Sequence, residues 1–326
     1  MKGFSFVTLT NVFSVDVEDY FHVQAFADRI RPSQWEHYES RVVKNTQRIL
    51  DLLEKRQTRA TFFVLGWVAD RYPELVRQIH RAGHEIGCHS YWHQLVFQQT
   101  PETFHQDLKR ATEILGEITG DPVLAYRAPS FSVTSDSLWA LDILLEEGYR
   151  VDSSIFPVHH DTYGIPEADP APHVIHRPSG DIYEFPPAVR SKIFGNIPVA
   201  GGGYFRILPY RLTAHWLGNV NRKENRPFVF YIHPWEVDPD QPRLESRWKS
   251  RLRHYRNLHK TVAKLDRLLE SFCFGAFDDL SCSFDPSERS SRQLIRRDGT
   301  HQLESTPISL TTHDAAIVKP PHLQFS

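Results

Sequence analysis

Residues 85–93 read Glu-Ile-Gly-Cys-His-Ser-Tyr-Trp-His. Glu85 to Cys88 is a short apolar run that predicts a buried strand, and the polar residues follow at its C-terminal end. Before it, a helix is expected from Pro73 through Arg81, opened by the proline and stopped by Gly83. After it, residues 101–119 predict a helix that ends at Gly120. Moving outward, the unit recurs. Val12 to Asp16 reads as a strand, 40–56 as a helix and Ala60 to Leu65 as a strand; Val123 to Tyr126 is a strand, 135–147 a helix ended by Gly148, and Tyr149 to Asp152 a strand. This alternation predicts an α/β fold, a parallel sheet with outer helices, closed as a barrel or doubly wound. In such folds the strand C-termini line the site. Polar clusters follow the strands here: DVED at 16–19, HSYWH at 89–93, RAPS at 127–130 and DSS at 152–154.

The second half is less regular. Residues 157–203 are rich in Pro and Gly, with Ile182 to Phe185 as a strand. A helix over 209–222 precedes a core strand at Pro227 to Ile232, which delivers His233-Pro234-Trp235-Glu236. A long basic helix over 248–271 and an apolar strand over 272–277 follow. Residues 285–326, with Phe325 as their one aromatic, cannot bury enough apolar surface to offset their ordering entropy and read as a mostly disordered tail.

Composition narrows the function. Lys and Arg number 38 against 40 Asp and Glu, a formal charge of −2, which argues against a nucleic-acid binder held by phosphate contacts. Three cysteines make no disulfide framework and fit a reducing compartment. Neither a signal peptide nor a run long enough to span a membrane is evident, so the expectation is a cytoplasmic protein without a transmembrane segment.

His89 and His93 lie four apart; on a helical turn both imidazoles would face one cation. In a chain with 18 His that pair alone is weak. Asp16, Glu18 and Asp19 add three acids in four residues, whose repulsion a cation would answer, although a solvated turn would also carry them. Together these residues make a two-His-one-carboxylate metal site with open positions and a spare carboxylate as general base.

In this order the motifs resemble the polysaccharide deacetylase family, carbohydrate esterase family 4, built on the NodB-homology domain. The carrying elements are Asp16 with Glu18 or Asp19, His89-Ser90-Tyr91-Trp92-His93, Arg127-Ala128-Pro129, Asp152-Ser153-Ser154 and Ile232-His233. The stretches DVEDYFHV, GGGYFRILPY and FVFYIHPWEVDPDQPR, followed by RHYRNL, resemble a branch encoded beside exosortase and exopolysaccharide clusters, and extend the resemblance to about residue 276. The resemblance implies a distorted (β/α) barrel with parallel strands and outer helices. It implies a catalytic domain over 1–284, with core motifs at 12–233, an extension over about 195–276, and the tail beyond.

The implied activity is metal-dependent removal of N-acetyl groups from an amino-sugar polysaccharide, an exopolysaccharide intermediate handled in the cytoplasm or at the inner membrane face. The implied cofactor is one divalent metal ion, zinc before cobalt or nickel, held by His89, His93 and either Glu18 or Asp19. Asp16 would be the base and His233 the acid; Arg127 would hold Asp16, and Asp152 would tune the acid side. Pro129, Ser130, Tyr204, Trp235 and His22 are the candidate substrate contacts. Two departures stand out: Val17 follows Asp16 where many members have a second aspartate, and Ser130 replaces the usual tyrosine after Arg-x-Pro. An allantoinase-like hydrolase of cyclic amides and a non-catalytic polysaccharide-binding protein are the alternatives.

Overall fold

The computed structural model describes residues 9–160, 163–190, 196–245, 248–281, 292–294 and 303–308. Its first half follows the alternation closely. Strand β1 (Thr10–Val17) is followed by α1 (Val42–Lys55), β2 (Thr61–Val64), α2 (Gly66–Arg71), α3 (Pro73–Arg81), β3 (Glu85–Cys88), α4 (Pro101–Thr119), β4 (Ala125–Tyr126), α5 (Trp139–Glu146) and β5 (Val151–Asp152). Helix α4 begins with Thr100 accepting from the Thr103 backbone N–H and ends at Gly120 in the left-handed region, φ 78°. Helix α2 was not expected: six residues are too short to show a helical period.

The second half holds β6 (His173–Arg177), β7 (Gly180–Glu184), β8 (Val189–Arg190), β9 (Ile197–Pro198), α6 (Gly202–Ile207), α7 (Tyr210–Lys223), β10 (Val229–Ile232), α8 (Trp248–Tyr255), α9 (Thr261–Ser271), β11 (Cys273–Gly275) and α10 (Phe277–Ser281). The expected long helix over 248–271 is broken, because Asn257 takes a left-handed φ of 59° between α8 and α9. The expected strand over 272–277 is shorter, and Phe277 instead opens α10. Most of 285–326 lies outside the described residues; within it β12 (Arg292–Leu294) pairs with β13 (Leu303–Pro307), which adds antiparallel to β6.

Seven parallel strands run in the order β10-β1-β2-β3-β4-β5-β7. After β7 the chain returns to β10, where Pro187 bridges Val229 in parallel and the Ala188 N–H donates to the Val229 carbonyl at 3.1 Å. That contact closes a distorted barrel. Successive residues on a strand face opposite sides. Val12, Phe63, Ala125, Val151, Phe185 and Val229 meet inside, with Phe277 and Leu280 of α10 packed among them. Phe13, Phe62, Tyr126, Ile182 and Phe230 face the helices. Cutting Phe63, wholly buried, back to alanine would cost about 3–5 kcal/mol.

Candidate active site

The same alternation decides which polar side chains share the barrel mouth. Counting from Val12, Asp16 and Glu18 keep the inner parity. From Ala125 it falls to Arg127, from Val229 to His233, and on β3 to Gly87 and then His89. All line or sit beneath one cleft of about 290 Å³; Asp16, Glu18, His89, His93 and His233 are in its wall.

His89, His93 and Glu18 each offer a ligand atom within 4.8 Å of the others. The HSYWH segment is not a helical turn. It is a loop in which Ser90 and His93 take φ of 63° and 54°, and this kink brings the imidazole rings to 5.3 Å. His89 Nδ1 donates to the Arg127 carbonyl at 2.7 Å, which leaves Nε2 with its lone pair free. Burial holds His89 down at about 4, so the ring is neutral. Glu18 Oε2 is buried without a hydrogen-bond partner, 2.6 Å from His93 Nε2. Burial would raise the Glu18 carboxyl, but the adjoining histidines hold it far below the usual range. A neutral imidazole, a second imidazole and an ionised carboxylate with an orphaned oxygen fit a divalent cation.

Asp19 lies outside this cluster. Its Oδ2 accepts from Ser40 Oγ (2.8 Å), Arg41 N (2.7 Å) and Val42 N (3.0 Å), so it caps the start of α1. The two-residue step from Asp16 to Glu18 on one pleat face separates the candidates; spacing without that parity could not.

Asp16 Oδ1 accepts from Arg127 Nη1 at 2.7 Å, and Arg127 is fully buried. Ser14 Oγ and Ser153 Oγ take further guanidinium N–H groups at 2.8 and 2.9 Å. His233 Nε2 lies 3.8 Å from Asp16 Oδ2 and 3.7 Å from Glu18 Oε1. On its other side, Nδ1 donates to Glu236 Oε1 at 2.7 Å, and Glu236 Oε2 accepts from Arg206 Nε at 2.6 Å. Burial alone would lower His233, but the Glu236 hydrogen bond and the charges of Glu18, Glu236 and Asp16 push it up to about 9. His233 is therefore protonated near neutral pH.

Asp152 does not reach the acid side. Val151 faces inward, so Asp152 projects to the opposite face of the sheet, beside Glu184 in the adjacent register position of β7. Both carboxyls are fully buried and both are raised, by burial first and for Glu184 also by its neighbour. The tuning residue is Glu236, which the sequence reading passed over. The signal was available: in His-Pro-Trp-Glu a proline-initiated turn puts the fourth side chain back on the first residue.

Among the candidate substrate contacts, Ser130, Tyr204 and Trp235 line the cleft. Pro129 does not; it opens the tight turn in which Ser130 and Phe131 both take φ 54°. His22 is a core histidine. It accepts from the Asp19 N–H at 2.9 Å and packs 4.3 Å from Trp35, and burial holds it down at about 3. The Gly201-Gly202-Gly203 run closes the far wall. A Cβ on Gly201, φ 102°, would land 2.2 Å from the Tyr231 carbonyl oxygen, so no other residue fits there.

This arrangement sits on a chain whose residues 36–150 match the family model described as polysaccharide deacetylase. Residues 153–281 match a second family, described as a domain of unknown function, DUF3473. A peptidoglycan-N-acetylglucosamine deacetylase of Bacillus cereus is 32% identical over 98 residues, 30% of this chain and 36% of that protein. A peptidoglycan deacetylase of Helicobacter pylori is 29% identical over 114 residues, 35% of this chain and 37% of that protein. The chain thus spans little more than a third of the length of these relatives. In fold, a candidate polysaccharide deacetylase from Mycobacterium smegmatis covers 87% of this chain and 93% of its own at 19% identity, with a TM-score of 0.58. A similar candidate from Pseudomonas aeruginosa covers 83% and 89% at 14% identity, with a TM-score of 0.54. The residues matched by the deacetylase model include His89, His93 and Arg127. Asp16 and Glu18 precede those residues, and Arg206, His233 and Glu236 lie within the stretch matched by the second model.

Proposed function

We propose that this protein is a metal-dependent hydrolase that removes N-acetyl groups from an amino-sugar polysaccharide, an exopolysaccharide intermediate. One observation carries the reading: a cation-ready Glu18–His89–His93 cluster, a carboxylate clamped by arginine and a protonated histidine converge on one cleft. Glu18, His89 and His93 would hold the ion, zinc in the first instance. When bound, such an ion lowers the pKa of a water toward about 7 and polarises the acetyl carbonyl.

The chain's own residues do the rest. Arg127 holds the Asp16 carboxylate in place beside the cluster, where it takes the proton of the attacking water. His233 holds a proton on Nε2, facing the cleft, and delivers it to the departing sugar nitrogen, which leaves only as an amine. Glu236 keeps that ring oriented, and Arg206 keeps Glu236 ionised. The left-handed turn at Ser130 lines the cleft where a backbone N–H can meet the developing oxyanion. The exopolysaccharide assignment draws on the resemblance of DVEDYFHV, GGGYFRILPY and FVFYIHPWEV to the exosortase-associated branch.

The test is acetate release from N-acetylglucosamine oligomers by protein stripped of metal and reloaded with zinc, cobalt or nickel. Acetate is expected only from reloaded protein, and D16N should abolish it. Turnover of a cyclic ureide without acetate from any sugar would replace this reading with the cyclic-amide one.

A further inference from the structure

The cleft walls carry more charge than the reaction uses, and the charges are unevenly answered. Deep in the cleft each is paired: Asp16 with Arg127, Glu18 with His93, Arg206 with Glu236. Arg253 of α8, itself exposed, also lines the cleft, together with Tyr163 and Tyr204. Among the described residues it has neither an ion pair nor a hydrogen-bond partner. Arg251 and Arg256, both exposed, flank it in the sequence, so the local field is positive.

The backbone is shaped to admit this side chain. A Cβ on Gly203 would lie 3.1 Å from Arg253 Cγ and 3.7 Å from its Cδ, so the glycine leaves the groove in which the arginine stem lies. That explains the third glycine of the run; Gly201 and Gly202 answer Tyr231 instead. Tyr204, more than a third exposed, stands at the same wall and offers a ring face suited to a pyranose. An unpaired guanidinium beside aromatic rings, in the wall of the same cleft that His233 lines, is a recognition site for an anion borne by a sugar.

We infer that Arg253 forms an anion subsite, which seats a carboxylate or phosphate on the substrate next to the N-acetyl sugar undergoing reaction. The inference rests on the deacetylase reading and adds a substrate class: anionic rather than neutral N-acetylated glycans. The near-zero net charge of the chain does not oppose it, because the selectivity is local.

Calorimetry on the full zinc-loaded chain carrying D16N tests it, with chitotetraose as the neutral probe. A hyaluronan tetrasaccharide is the carboxylate probe, and UDP-N-acetylglucosamine the diphosphate probe. The affinity ratio of anionic to neutral probe should fall about tenfold in R253Q, and R253K should recover part of it. A fall for one anionic probe alone assigns the subsite to that anion. An unchanged ratio for both overturns the inference. The same ratio measured as kcat/KM for acetate release from the two tetrasaccharides, with Asp16 intact, guards against misfolding of D16N. If no substrate releases acetate, the deacetylase reading fails, while the calorimetric ratio still decides the subsite.

Discussion

Residues 36–150 and residues 153–281 build the two sides of one cleft by different means. The first half places His89, His93 and Arg127 immediately after regular strands of a repeating β/α unit. The second half places His233 after a strand as well, but it secures that histidine with groups from elsewhere: Glu236 on a tight turn and Arg206 on a short helix. The proposed cation side is thus built on the barrel itself. The proposed acid side is an attachment, assembled from irregular chain and held by buried charge. The comparison suggests that cation binding and proton donation can be broken separately.

The sharpest break is at the cluster. Glu18→Ala should abolish stoichiometric zinc, and acetate release should fall about 10⁴-fold, read by elemental analysis and an acetate assay on the same sample. If E18A keeps one zinc per chain, the barrel side does not bind metal as described. Next, His233→Gln should reduce kcat about 10³-fold while zinc content stays at one per chain. Loss of zinc in H233Q would show that the two sides are not separable.

A smaller effect tests how the acid side is held. Arg206→Met leaves Glu236, wholly buried, with His233 as its one remaining cationic partner and its Oε2 unanswered, and should cost about 3–5 kcal/mol, seen as a fall in the denaturation midpoint. Pairing of Arg206 with the His254 and Arg256 carbonyls means that α8 should loosen too, which hydrogen exchange would detect. No loss of stability in R206M would make the Arg206–Glu236 pair dispensable.

The mildest effect is pH-dependent and lies behind the site. The Asp152–Glu184 carboxyls are raised in the folded protein, so the fold retains a proton that the unfolded chain releases above the ordinary carboxylate range. Folded protein then binds more protons than unfolded, and stability falls as pH rises from that range toward the raised value. The slope is at most about 1.4 kcal/mol per pH unit. Glu184→Gln should flatten it; an equally steep curve in E184Q would place the dependence elsewhere.

These regions also differ in how far they could be read from sequence. Pro73, Gly83, Pro101 and Gly120 punctuate the first half, and α3, β3 and α4 have the expected bounds. Where reading failed, the deciding physics was tertiary or a matter of parity. Asn257 breaks the basic helix by a left-handed turn that composition does not announce. His22 looked like a cleft residue because it follows the acidic motif, yet an aromatic core takes it. Asp19 and Asp152 were candidates by spacing. The pleat sends Asp152 to the wrong face, and Asp19 turns to cap α1. Counting strand residues by twos from Val12 or Val151 would have found this. Arg206 and Arg253 carried no such signal, because only the folded chain brings α6 and α8 to the cleft.

The barrel closes late. Strand β1 finds its β10 partner across more than two hundred residues, as in the Ser14 hydroxyl donating to the Phe230 carbonyl 216 positions on. A chain made from its N-terminus therefore carries β1 with one edge unpaired through most of its synthesis, a state prone to misassociation. Glu18, His89 and His93, proposed to hold the cation, all emerge long before His233. A nascent chain stalled before Val229 would hold the whole proposed cation cluster without its proposed acid, because the strand that seals the barrel is also the one that delivers His233.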